Sequence, residues 1–195
     1  GCTQISYGVE SGSAAIRQSL NKPLETEQIK RAFDLTVRHG LFSRAYFIYG
    51  APQETEATID KSLDLMRRIR PLSAIFYILD LFPGTELYEE YKRRTSATDD
   101  IWLDRVEDIL YYETDETLDK ERVLEFGRRL REGYFAMLPD FAAAIELEDE
   151  TALFPMHADF LSRLALTFSH GDYTTNPSIG KRLPTAIRLF ERALS

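Results

Sequence analysis

The run Ala45-Tyr46-Phe47-Ile48-Tyr49, closed by Gly50-Ala51-Pro52 and followed by Gln53-Glu54-Thr55, constrains the fold more than any other stretch. Large and β-branched apolar residues in unbroken succession suit a parallel strand covered on both faces, where the usual in-out alternation is lost. Gly50 permits a sharp turn or a ligand lying against the backbone, Pro52 fixes φ, and the helix start falls at Thr55. An ordinary strand-to-helix connection explains these residues equally well. Two further segments repeat the pattern. Thr3 to Val9 reads as a strand running into the loop Glu10-Ser11-Gly12-Ser13, and Ala74 to Leu81 reads as a strand running into Phe82-Pro83-Gly84 and a helix capped by Thr85. Between them lie two amphipathic helices. One is capped by Thr26, carries Ile29, Ala32, Phe33, Thr36 and Val37 on one face, and stops at Gly40; the other runs from Thr55 to Arg70 with Ile59, Leu63, Met66 and Ile69 inward. Strands alternating with helices over residues 1–94 mean parallel βα units, whose ligands collect where strand ends feed the loops.

The pattern changes after Thr95. A polar linker over residues 95–100 leads to a short segment around Trp102 and then a long helix with Val123, Phe126, Leu130, Tyr134 and Met137 along one side. Pro139 is expected to break it, with a separate short helix from Phe141 to Leu147. Two more helices follow: one carries Phe160, Leu164, Ala165 and Phe168 and stops at Gly171, and one starts at Pro184 and carries Ile187, Phe190 and Leu194. Residues 95–147 therefore read as a helical extension and residues 148–195 as a helical hairpin.

Charge narrows the function classes. Lys and Arg total 24 against 32 Asp and Glu, a net charge of −8, which argues against a nonspecific nucleic-acid binder because phosphate contacts need a basic surface. No apolar run approaches the roughly 20 residues of a membrane span, so no membrane partner is expected and the compartment reads as cytoplasmic. The single cysteine, Cys2, can close neither an internal disulfide nor a cysteine cluster, and His39, His157 and His170 lack ligand spacing, so no metal site is expected within the chain.

Three loops taken together carry a resemblance. Gly8-Val9-Glu10-Ser11-Gly12-Ser13, Ile48-Tyr49-Gly50-Ala51-Pro52-Gln53-Glu54-Thr55 and Phe82-Pro83-Gly84-Thr85, each after a strand, with Asn21-Lys22 and Gly40 between them, resemble in order and spacing the second half of a radical S-adenosylmethionine core. The likeness is closest to Fe-S oxidoreductase-like subfamilies associated with cobalamin. It implies an α/β fold in which residues 1–94 form the last three strands of a partial (β/α)6 barrel, followed by an all-α tail. The family's Cys-x-x-x-Cys-x-x-Cys loop, which holds a 4Fe-4S cluster, would lie upstream, so the resemblance makes this chain a fragment of a radical enzyme, inactive by itself and lacking catalytic residues of its own. In the parent, the cluster would deliver an electron that cleaves the cofactor's carbon–sulfur bond, and cobalamin would open methyl transfer or ring rearrangement.

The resemblance also implies roles. Glu10 would accept from the cofactor ribose, or else be a surface or capping carboxylate; Lys22 would meet the methionyl carboxylate, or else be an exposed helix-end lysine. Ser11 or Ser13 would hydrogen-bond the cofactor or cap the following helix. Ile48, Tyr49 and Gly50 would pack against the adenine, with Phe82, Pro83 and Gly84 closing its other side. Tyr46 stands where the family pattern has its first glycine, which removes close backbone approach there. The tail, through Leu164-Ala165, Phe168, Gly171-Asp172-Tyr173, Ala186, Phe190 and Ala193-Leu194, resembles a tetratricopeptide repeat with a long insertion. Expected partners are the upstream half of the same barrel, a second copy through the open strand edge around Ile5, and a protein at the helical tail. The rival reading is a non-enzymatic helical-repeat binding module on an α/β scaffold.

Overall fold

A computed structural model describes residues 1–105 and 107–195. Three strands, β1 (Gln4–Glu10), β2 (Phe42–Tyr49) and β3 (Ser73–Ile78), form a parallel sheet in the order β1-β2-β3. Helices α1 (Ala14–Ser19) and α2 (Thr26–Arg38) connect the first pair of strands, α3 (Glu56–Ile69) connects the second, and α4 (Glu86–Thr95) follows β3. The rest is helical: α5 (Ile101–Asp104), α6 (Lys120–Ala143), α7 (Phe154–Ser169) and α8 (Arg182–Leu194), with short 3-10 turns between them.

Local chemistry sets most boundaries. After α2, Gly40 takes φ +72°, and Leu41 N–H reaches back to Thr36 O while Gly40 N–H reaches Val37 O, so the last carbonyls of the helix are satisfied. Thr55 caps α3 and Thr85 caps α4, each accepting from the N–H three residues on. The cap of α2 is Glu25 rather than Thr26: its N–H donates to Gln28 Oε1, while Thr26 Oγ1 accepts from buried Arg17.

The sheet corrects one expectation. β2 is not buried on both faces but alternates strictly, with Ser43, Ala45, Phe47 and Tyr49 buried and Phe42, Arg44, Tyr46 and Ile48 half-buried. The buried face packs under α2, α3 and α6. Val123 of α6 meets Gly50, Gly127 meets the Tyr49 ring, Gly133 meets Leu63 of α3, and Tyr134 packs on Phe76. One continuous cluster of buried residues runs from Val9 through this layer to Leu189 of α8. The other face of the sheet is concave and open.

Pro139 does not end the long helix; α6 continues to Ala143. Tyr134, Leu138, Phe141 and Ala142 all lie in the core, and burying each large apolar side chain is worth about 1.5–3 kcal/mol. Together they exceed the roughly 3 kcal/mol of an interior proline. In the tail, α8 turns a different stripe inward than its large residues suggest. Thr185, Ala186 and Leu189 are buried, while Ile187 and Leu194 are exposed. Ala165 of α7 and Ala186 of α8 are both buried, so small residues sit on the inward faces of the two helices. Among the described residues no helix is long and apolar enough to cross a membrane.

Candidate functional site

At the carboxyl ends of the three strands, the open sheet face borders a cavity of about 890 Å3. Its lining includes Glu10, Lys22, Tyr46, Ile48, Tyr77 and Phe82. Two lining residues have left-handed backbone, Glu10 (φ 63°) and Asn21 (φ 54°), and the loops after β2 and β3 have it at Gly50 (φ 78°), Gln53 (φ 62°) and Gly84 (φ 85°). For Glu10 this conformation is uncommon and costs about 1–3 kcal/mol. It coincides with a bulge in the β1–β2 ladder between Gly8 and Glu10, which re-aims the side chain.

The result is a specific charge pair. Lys22, in the turn after α1, donates to Glu10 Oε1 at 2.6 Å, and the pair lies directly over Gly8. A Cβ at Gly8 would stand 2.4 Å from both Glu10 Oε1 and Lys22 Nζ, so the glycine is what leaves room for the pair. Glu10 is nearly buried and Lys22 is part-exposed, leaving the carboxylate's second oxygen and the ammonium's remaining donors available to a ligand.

Ile48 and Phe82 face the cavity, and Phe82 is 57% exposed. Pro83 and Gly84 are exposed in the turn beyond it, and a Cβ at Gly84 would meet nothing within 4 Å, so its positive φ rather than close contact calls for glycine. Tyr49 points the other way. Its ring lies in the core against Gly127, with the Arg131 guanidinium 5.9 Å from the ring centre, because alternation along β2 sends it to the face opposite Ile48. Ser11 is fully buried toward α3: its Oγ accepts from Ser13 N–H and lies 3.4 Å from Ser62 Oγ. Ser13 is the residue before α1 but makes no side-chain cap.

Gly50 anchors the central loop through a residue whose role the sequence left open. Glu54, 3% exposed, folds back so that Oε2 accepts from Gly50 N–H at 2.5 Å and Ala51 N–H at 3.4 Å. Its Oε1 is buried with no hydrogen-bond partner among the described residues. Burial pushes the carboxyl up to about 7, against the downward pull of the two N–H groups. Asp80, on the cavity wall, is likewise raised, first by burial and then by Asp108.

Two contributors have no counterpart in the loop motifs: Tyr77 and Asp80. Their signals were weak. Gly8 opens the first loop motif with no role assigned to it, and Tyr77 is hidden in an apolar run that suggests complete burial. Elsewhere, Cys2 is exposed near the start of β1, and His157 packs its ring edge against Gly40. Among the described residues no group of three or more His, Cys, Asp or Glu side chains comes together as a metal site.

With this geometry in hand, comparison with known proteins gives distant relatives. The chain is 31% identical over 136 residues to the bacteriochlorophyllide d C-12(1)-methyltransferase of Chlorobaculum tepidum, covering 69% of this chain and 29% of that protein. It is 29% identical over 89 residues to an uncharacterized methyltransferase of Pyrococcus horikoshii, covering 46% of this chain and 19% of that protein. It is 27% identical over 99 residues to the anaerobic magnesium-protoporphyrin IX monomethyl ester cyclase of Rubrivivax gelatinosus, covering 51% of this chain and 18% of that protein. No family model matches. The chain is thus a distant homologue of these proteins and spans less than a third of the length of each.

Proposed function

We propose that this chain is part of a larger radical S-adenosylmethionine enzyme and supplies the ribose and adenine side of the cofactor site. The observation that carries the reading is the Glu10–Lys22 pair, set over Gly8 by a bulge at the mouth of a cavity at the strand ends. The distant homology to two methyltransferases and a cyclase supports it. In this reading Glu10 accepts from the ribose hydroxyls and Lys22 meets the methionyl carboxylate, each exchanging part of its bond to the other for the ligand. Ile48 and the Gly50 backbone take one side of the adenine, Phe82 and the Pro83-Gly84 turn the other. Ser11 and Tyr49 act indirectly, Ser11 by bracing the β1 loop on α3 and Tyr49 by fixing β2 against α6.

The residues fit half of such a site. The cofactor and its cluster together supply one-electron chemistry; this chain binds, orients and excludes water. The cluster does not fit here, since a 4Fe-4S centre needs several thiolates and the chain has one cysteine. The upstream half of a partial (β/α)6 barrel would pair with the open edge of β1 and bring those thiolates, and cobalamin would enter through the same larger protein. The boundaries 1–94, 95–147 and 148–195 are those of the barrel half, the helical extension and the tetratricopeptide-like hairpin in this reading.

S-adenosylhomocysteine titrated into the chain by calorimetry tests the site. Saturable binding is expected, with tenfold or greater loss in Gly8→Ala, whose Cβ displaces both charged groups. Equal affinity in that variant would remove the proposal's main support. For the larger protein, production of 5′-deoxyadenosine after anaerobic reconstitution is the corresponding test.

A second reading has one observation in its favour. Leu183, Ile187 and Leu194 of α8 are 63%, 57% and 90% exposed, an apolar stripe suited to a helical-repeat binding module. In that case Gly8→Ala would be silent and changes on α8 would abolish partner capture.

A further inference from the structure

We propose a second binding site in this chain, at the opposite end of the sheet from the strand-end cavity. Its ligand is a small molecule bearing one oxyanion, a phosphate or a carboxylate. The proposal does not depend on the radical-enzyme reading.

The site is a cavity of about 330 Å3 where the amino ends of all three strands meet α7. Thr3 stands just before β1, Arg44 lies near the start of β2, Ser73 opens β3, and Arg163 comes from α7. This cavity and the strand-end one share no lining residue. Arg44 and Ile48 lie on the same face of β2 four residues apart, roughly 13 Å at about 3.3 Å per residue. The two sites are therefore separate.

Charge distinguishes the second cavity. The chain has 24 Lys and Arg against 32 Asp and Glu, and the strand-end cavity carries Glu10, Asp80 and Glu86 beside Lys22. The amino-end cavity has two arginines and, among the described residues, no Asp or Glu in its lining. Arg44 is half-buried, and among the described residues it has no carboxylate partner. Its Nε donates to the neutral Ser73 Oγ at 3.1 Å. That is not the habit of this chain's arginines, since Arg122, Arg128 and Arg129 of α6 each meet a carboxylate. Arg163 engages an acid through Nε alone, Asp159 Oδ2 at 2.8 Å, one turn back along α7. Among the described residues both guanidinium groups thus keep their NH2 pairs, donors that match the oxygens of a carboxylate or phosphate. The Ser73 hydroxyl, whose oxygen accepts from Arg44, retains its own proton to donate.

Size and polarity define the rest of the ligand. Phe42 and Leu164 give the cavity an apolar side. Its volume falls at the lower end of small-molecule sites, which begin near about 300 Å3. A single oxyanion on a small body matches that room, and once bound it bridges the sheet to α7.

The test is nuclear magnetic resonance of the whole nitrogen-labelled chain, following the arginine Nε–H signals. Sodium phosphate and, separately, sodium succinate are added at constant ionic strength against chloride. The Arg44 and Arg163 signals should shift saturably with at least one of them. Arg163→Gln, on a half-exposed side of α7, should weaken binding about tenfold, the worth of one charge-assisted hydrogen bond. Arg44→Lys keeps the charge but loses the planar donors, and should weaken it by a similar factor. Asp159→Asn removes the acid that competes for Arg163 and should tighten binding about threefold, a gain that damage to the fold would not produce. Saturation by phosphate alone points to a phosphorylated ligand, by succinate alone to an organic acid, and by both to the shared chemistry; each supports the site. Shifts that never saturate, affinity unchanged in both arginine variants, or weaker binding in Asp159→Asn overturns it. A wild-type chain that takes the anion but not S-adenosylhomocysteine would overturn the cofactor reading alone.

Discussion

The two faces of one sheet are put to opposite uses. On the outer face Ala45 and Phe47 are fully buried under helices, and Tyr49 is pinned between Gly127 and Arg131. On the concave face, a single residue away in sequence, Tyr46 and Ile48 line a cavity, and Tyr77 of the neighbouring strand is half in solvent. Composition does not distinguish the faces, since both are aromatic and aliphatic. Coverage does: α2, α3 and especially the 24-residue α6 lie on one side only. The outer face holds the fold together, and the concave face is left with apolar surface that a ligand or a further barrel segment has reason to cover.

The largest test of this contrast is Phe47→Ala. Removing a fully buried ring stacked on Phe76 should cost about 3–5 kcal/mol in urea denaturation. A loss under 1 kcal/mol would mean that the outer face is not the stabilising one.

Glu54 is buried in the loop that follows β2, and its effect should depend on pH. Its folded-state pKa of about 7 lies above the ordinary 4.5. Between those values the folded chain keeps a proton that the unfolded chain has released, so stability should fall as pH rises through that window. The total is roughly 3 kcal/mol, complete near pH 7 and flat below pH 4.5. Glu54→Gln, uncharged throughout, should lose most of that slope and be more stable than wild type at pH 8. Parallel pH profiles for the two proteins would show that the buried carboxyl is not the source.

Smallest is Tyr77→Ala, the concave-face partner to the first test. Its effect on stability should stay within about 0.5 kcal/mol, since the side chain is half in solvent. A loss comparable to that of Phe47→Ala would erase the distinction between the faces.

Much of the local structure was legible in the chain. Apolar runs ending in Gly or Pro marked β2 and β3, and the segment Thr3 to Val9 running into Glu10-Ser11-Gly12-Ser13 marked β1. Thr55, Thr85 and Gly40 marked helix ends correctly because caps and left-handed stops act over a few residues. Errors arose where a distant partner decided. Thr26 lost the cap to Glu25 because Arg17 engages its hydroxyl, and Pro139 was absorbed because the residues around it are core. At the candidate site, Glu10, Lys22, Ile48 and Phe82 could be singled out from loop motifs and do line one cavity. Ser11 and Tyr49 could be singled out too, but their side chains leave for the packing interior. The space that Gly8 leaves, Tyr77 and the loop-bracing role of Glu54 were not legible, since each depends on what stands across a strand or inside a turn.

By itself, the sequence determined the alternation of parallel strands and helices, the helical tail and the position of the strand-end loops, because periodicity and capping are properties of neighbouring residues. Only the tertiary structure decided which side of each strand is core, since a strand's two faces are equivalent until a helix covers one. It also decided that Glu10 and Lys22, twelve residues apart, share one site over a glycine. A bulge and a left-handed residue turned an ordinary strand end into a charged rim, and no local propensity specifies that geometry.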